Sequence, residues 1–169
     1  MEKNIYGEGM SKLEIRQMEE ADIKQTVKMI SYYNKEHSLC ALRDFKEFFL
    51  NNGVNRKANF LIALINYEIV GCMGYHSDSD QDAEDVYWTT YLYIHPNYYR
   101  QGIASKLSLE IEKRIQNIGG RKIYLDIGNA EDQPEAILFH TKHGYKKEGE
   151  LIDYFRDGEN KLLFGKKIK

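Results

Sequence analysis

The period of the hydrophobic pattern changes several times along the chain, and each change marks an element. Residues 12–18 alternate, with Leu13 and Ile15 on one face, which predicts a first strand. Ile23, Val27 and Ile30 then recur at spacings of four and three behind Glu19, Glu20 and Asp22. Acids ahead of that stripe suit a helix N-terminus, so an amphipathic helix is expected to about Tyr33. A second helix is expected over 42–50, with Phe45, Phe48 and Phe49 as its aromatic face and Asn52-Gly53 as its stop. Residues 60–65 form a nearly all-apolar strand, turned by Asn66-Tyr67-Glu68 into a hairpin partner over 69–75.

The longest alternation follows. Val86, Trp88, Thr90, Leu92 and Ile94 alternate with Tyr87, Thr89, Tyr91 and Tyr93, which predicts one strand with the two sets on opposite faces. It stops at His95-Pro96. Ile103, Leu107, Ile111, Ile115 and Ile118 then mark a helix closed by Gly119-Gly120. Residues 122–127 read as a strand. After a polar loop with Asn129, Glu131 and Asp132, Pro134 suits the first turn of a short helix over 135–142, stopped by His143-Gly144. Two last strands, 145–155 and 162–168, flank a tight reversal at Asp157-Gly158. The order βααβββαβαββ predicts a mixed α/β domain: one central mixed sheet of about seven strands with helices on both faces.

Composition narrows the classes. At 169 residues one domain is the economical reading, with residues 1–11 as an extension ahead of it, Met10 as a candidate start, and 12–169 as the fold. A formal charge of −2 argues against a broad basic face for nucleic acid. Cys40 and Cys72 form neither a disulfide framework nor a metal motif, and Cys72 reads as a buried strand thiol. Without a signal peptide or a long apolar segment, a reducing cytoplasm and no membrane partner are expected.

Two stretches bear on chemistry. The strand ending at Ile94, the turn, and the helix reopening after Gly102 place free backbone N–H groups at a helix start, which is an anion site. Arg100 and Lys106 add charge at its rim. Asp78, Asp80 and Asp82 follow the rhythm of a calcium loop, but Ala83 and Thr89 replace the glycine and glutamate such a loop needs. A solvated hairpin loop is the reading taken, with an acidic rim for a cationic substrate as its alternative.

The turn also resembles a known motif. Strand, then Pro96-x-Tyr98, then Gly102-x-Ala104 resembles the acyl-CoA loop of the GNAT superfamily of N-acetyltransferases, with Tyr99 where the family usually has Arg or Gln. A second match is Gln133-x-x-Ala136-x-x-Phe139-His140-x-x-x-Gly144-Tyr145, in which Gln133 replaces an asparagine that Asn129 could supply, and His140 replaces the tyrosine that protonates the departing thiolate. The resemblance covers residues 12–169. It implies that the amides of Arg100, Gln101, Gly102, Ile103, Ala104 and Ser105 wrap the CoA pyrophosphate, that the backbone of Leu92, Tyr93 and Ile94 pairs with the pantetheine arm, and that Asn129 and Gln133 lie beside it.

The implied reaction moves an acetyl group from acetyl-CoA to a primary amine of a small molecule or a peptide. No cysteine is placed for a covalent intermediate, so direct attack in a ternary complex is expected, and no metal is implied. The amine must lose a proton before it attacks. Asp126 is the first candidate base, because the ribosomal-protein alanine acetyltransferases, whose pattern and closing hairpin this chain resembles, carry a glutamate at the matching strand position. Glu84 and Asp85 are the alternatives, since other members keep a glutamate on the long strand. His140 as an imidazolium is the candidate acid for the thiolate, with Tyr145, Tyr154 or water as substitutes. A homodimer is left open. The reading from a different class is a GNAT-fold domain that binds acyl-CoA or a partner protein without catalysis, which Tyr99, Gln133 and His140 keep in view.

Overall fold

The computed structural model describes residues 12–51, 58–128 and 133–169. The expected extension 1–11, the Asn52-Gly53 stop and the loop with Asn129 lie outside the described residues. The elements are β1 (Glu14–Gln17), a 3-10 turn (Glu20–Asp22), α1 (Ile23–Ser31), α2 (Lys35–Leu50), β2 (Ala58–Ile65), β3 (Glu68–Ser77), a 3-10 turn (Gln81–Ala83), β4 (Val86–Ile94), a 3-10 turn (Pro96–Tyr98), α3 (Ile103–Asn117), β5 (Lys122–Ile127), α4 (Pro134–Lys142), β6 (Lys146–Arg156) and β7 (Glu159–Lys167). They build a seven-stranded mixed sheet in the order β1-β2-β3-β4-β5-β7-β6, with β4 and β5 as its parallel pair.

Two apolar clusters lie on the two faces. On one face, α3 sets Ile103, Leu107, Ile111 and Ile115 against Val70, Met73 and Leu125 of the sheet. On the other, α1 and α2 bring Ile30, Ala41 and Phe45 onto Phe60, Ile62 and Cys72. In β5, Ile123, Leu125 and Ile127 enter the α3 cluster, so alternation turns Lys122, Tyr124 and Asp126 to the opposite face. There Tyr124 is half-buried and Asp126 is exposed. Nearly all of β6 is exposed too.

Two expectations are corrected. Helix α2 starts at Lys35 rather than Leu42, because Asn34 is extended and its side-chain oxygen accepts the His37 N–H at 3.0 Å. Its early turns bury Ser38 and Ala41, which carry little hydrophobic signal.

Strand β4 has the expected limits but not one continuous alternation. Tyr91 is left-handed at φ 55, and the register jumps from Gly74↔Thr90 to Cys72↔Tyr93, so two residues of β4 oppose one of β3. Before this bulge Tyr87 faces α3; after it Leu92 and Ile94 do, while Tyr91 and Tyr93 turn toward α1 and α2. Tyr91 is held there by packing on Phe45 at 5.4 Å and by donating its hydroxyl to Asp44 Oδ2 at 2.5 Å.

The sheet also opens between β4 and β5. β4 and β5 pair only over Val86↔Lys122, Tyr87↔Ile123 and Trp88↔Tyr124, although both strands continue. Beyond Trp88 they part, leaving a seam through the middle of the sheet.

Candidate active site

One side of the seam is the start of α3. Arg100 (φ 59) and Gly102 (φ 76) are both left-handed, and the first helical bond is Lys106 N–H to the Gly102 carbonyl at 3.1 Å. The N–H groups of Ile103, Ala104 and Ser105 therefore have no partner within the helix and carry the positive end of its dipole. Ser105 is also tied to α4. His143 Nδ1 lies 2.8 Å from the Phe139 carbonyl, so that nitrogen carries the proton and Nε2 accepts from Ser105 Oγ at 3.0 Å. Tyr99 supplies no cation. Its hydroxyl meets that of Tyr33, which donates to the Ile94 carbonyl, so an aromatic contact joins the end of β4 to the end of α1. Gln133 is exposed and opens α4 by accepting the Ile137 N–H at 3.2 Å through its carbonyl.

His140 lies in α4 on the α3 side of the sheet. Its ring meets Phe139 and Tyr145 edge-on at 5.1 and 5.5 Å and is 9% exposed. Burial, with a smaller contribution from His143, pushes its pKa down to about 4. At neutral pH the ring is uncharged, so the imidazolium expected from the sequence is not the resting form. The Tyr145 hydroxyl is pushed well above its ordinary value by burial, and Tyr154 stands on β6 beside Lys161, on the other face.

That other face carries a cleft of about 390 Å³ where β4 leaves β5. His76, Asp78, Trp88, Thr90, Asp126 and Lys161 line it. Trp88 stacks on Tyr124 at 5.2 Å and donates its indole N–H to Asp78 Oδ2 at 2.5 Å. Asp78 also accepts the Asp80 N–H, and these two bonds, the backbone one first, hold its carboxyl below the usual range. Asp126 Oδ1 lies 3.5 Å from Lys161 Nζ.

The structure thus places Asp126 on a cleft wall but separates it from the other candidates. Glu84 precedes the paired stretch by two residues and Asp126 follows Lys122 by four, which at 3.3 Å per residue is roughly 20 Å along the strands. Asp85, near Glu84, is held bidentate by Arg121 at 2.9 and 3.2 Å and lies below the usual carboxylate range for that reason. Neither belongs to the cleft. Asp80 accepts the Asp82 N–H, so this acidic stretch is a chain of local turns rather than a convergent ligand set. Cys72 is buried, with its thiol pushed up to about 12, and is inert. Trp88, Lys161 and His143 carry no local motif of their own, and residues remote in sequence bring them to the site.

A sequence model described as the acetyltransferase (GNAT) family matches residues 22–145. A search of curated proteins finds no match. Among solved structures, a chain from Desulfovibrio desulfuricans assigned to the GNAT family superposes with a TM-score of 0.86 at 17% identity, covering 94% of this chain and 100% of that one. The aminoglycoside 6'-N-acetyltransferase from Enterococcus faecium gives 0.74 at 16%, over 92% and 97%. A Salmonella typhimurium chain solved with acetyl-CoA gives 0.75 at 14%, over 94% and 95%. A seam in the sheet, an amide-lined helix start on one side and an acidic cleft on the other agree with that match: the chain belongs to the GNAT family of acetyltransferases.

Proposed function

We propose that the protein transfers an acetyl group from acetyl-CoA to a primary amine by direct attack. The observation that carries this is the seam itself, which joins the open amides of α3 on one face to Asp126 on the other. Pyrophosphate suits the N–H groups of Arg100, Gln101, Gly102, Ile103, Ala104 and Ser105, since backbone donors at a helix start serve an anion without a side-chain cation. Leu92, Tyr93 and Ile94, past the end of the β4–β5 pairing, offer a strand edge for the pantetheine arm. Gln133, at the start of α4, and Asn129 are the polar side chains proposed for the CoA arm beyond it.

The amine reaches the cleft as an ammonium. Asp126, directly or through water, takes the proton, and the freed nitrogen lone pair attacks the thioester carbonyl carbon. The nitrogen, positively charged after the attack, gives its second proton to water, the carbon–sulfur bond breaks, and the thiolate leaves with the electron pair as the neutral amide forms. Neutral His140 donates a hydrogen bond to the sulfur, and solvent supplies the proton that makes the thiol. Glu84 takes no part.

The test pairs a thermal shift with thiol release. Acetyl-CoA is expected to raise the Tm by binding the folded state, and a panel of amines (amino acids, polyamines, aminoglycosides and N-terminal peptides) is expected to include an acceptor. No shift at millimolar acetyl-CoA sinks the reading. A shift with no thiol released from any acceptor identifies a binding domain instead.

A further inference from the structure

The cleft around Asp126 contains a cation, and that cation constrains what the cleft accepts; the inference rests on the transferase reading above. Lys161 comes from β7 on the face opposite α3, since Leu162 and Phe164 turn into the α3 cluster. Its side chain is only 20% exposed, with Nζ 4.6 Å from the centre of the Tyr154 ring and 3.5 Å from Asp126 Oδ1. Held between an aromatic face and a carboxylate, it is part of the wall. At 3.5 Å the two charges attract, but the contact is longer than a good charge-assisted hydrogen bond. Both groups keep bonding capacity for a ligand.

The neighbouring acids are already engaged. Asp78 holds the Trp88 indole and the Asp80 N–H, and Glu148 holds Lys122 Nζ and the Tyr124 hydroxyl. Asp78 has its oxygens committed to neutral donors, and Asp126 and Lys161 are left facing each other in the cleft as an opposed pair. We propose that the acceptor is a small zwitterion: its amine lies against Asp126 and its carboxylate against Lys161. The short spacing of the pair suits an amine and a carboxylate on one carbon, as in an α-amino acid, with the Trp88 indole as an apolar wall for the rest of the molecule. A polyamine or aminoglycoside would set a second ammonium against Lys161.

The test uses the full chain saturated with CoA for calorimetry, and acetyl-CoA for thiol release. Ligands are the common amino acids, their amides, the matching decarboxylated amines, spermidine, kanamycin and short peptides. For at least one amino acid, the free acid is expected to bind and react about tenfold or more better than its amide. In Lys161→Gln that advantage falls to within about twofold while the KM for acetyl-CoA is unchanged, and Lys161→Glu favours the amide. Equal use of acid and amide, preference for spermidine, kanamycin or peptide N-termini, or an advantage that survives Lys161→Gln overturns the inference and leaves the transferase reading standing. Lys161-dependent amino acid binding without thiol release does the reverse. With no binding and no release, both fall.

Discussion

Placing an imidazole between Phe139 and Tyr145 sets its protonation before any ligand arrives. His140 ordinarily titrates near 6.5, and burial moves that to about 4 in the folded chain. Between those values the unfolded chain binds the extra proton and the folded chain does not. The stability from keeping His140 neutral is therefore full above pH 6.5 and is lost as pH falls toward 4. The shift corresponds to roughly 3 kcal/mol. Urea unfolding of wild type and His140→Phe at pH 7.5 and 4.5 checks this: wild type loses up to that much more on acidification than the variant. The same variant should turn over several-fold more slowly with an unchanged KM for acetyl-CoA, since it loses only the hydrogen bond to the leaving sulfur. Equal turnover would remove His140 from the mechanism.

Among the elements, those whose hydrophobic period coincides with burial were legible, β5 from Lys122 to Ile127 and α3 from Ile103, as were the limits of β4 and the reversals at Asn66-Tyr67 and Asp157-Gly158. The start of α2 was not, because Ser38 and Ala41 pack by being small. Nor was the bulge at Tyr91. No glycine or asparagine marks it, and the left-handed backbone is stabilised by Asp44 and Phe45, contacts that only the fold creates. This gives the bulge a testable anchor. Tyr91→Phe removes the hydroxyl donated to Asp44 and should cost about 1.5–3 kcal/mol in chemical unfolding, the range for bonds to a charged group. If that anchor also aims the free edge at Leu92–94, the KM for acetyl-CoA rises with it. A stability loss with unchanged KM would confine the bond to packing.

Across the whole molecule the sheet separates two jobs. In the proposed reaction, the acyl donor lies near the start of α3 on one face and the acceptor beside Asp126 on the other. The helix start was legible as an anion site because Pro96, Gly102 and Ala104 are close in sequence; of the cleft only Asp126 and Asp78 were singled out, because β3, β4, β5 and β7 each bring a part of it. Substitutions on the two faces should then divide kinetically. Gly102→Ala meets no atom within 4 Å, so its cost is the left-handed backbone at φ 76 alone, about 1 kcal/mol. To the extent that the free loop relaxes this strain and the CoA-bound loop does not, the KM for acetyl-CoA should rise, by up to about fivefold, with the acceptor KM unaltered. Asp126→Asn keeps the size of the side chain and loses the base, so kcat should fall by about a hundredfold with the KM for acetyl-CoA unchanged. A base acting on the ammonium would also leave the rate of that variant rising with pH toward the amine's own pKa, while wild type levels off earlier. If both variants instead raise the acetyl-CoA KM to the same degree, the seam does not divide donor from acceptor and the two-faced site is wrong.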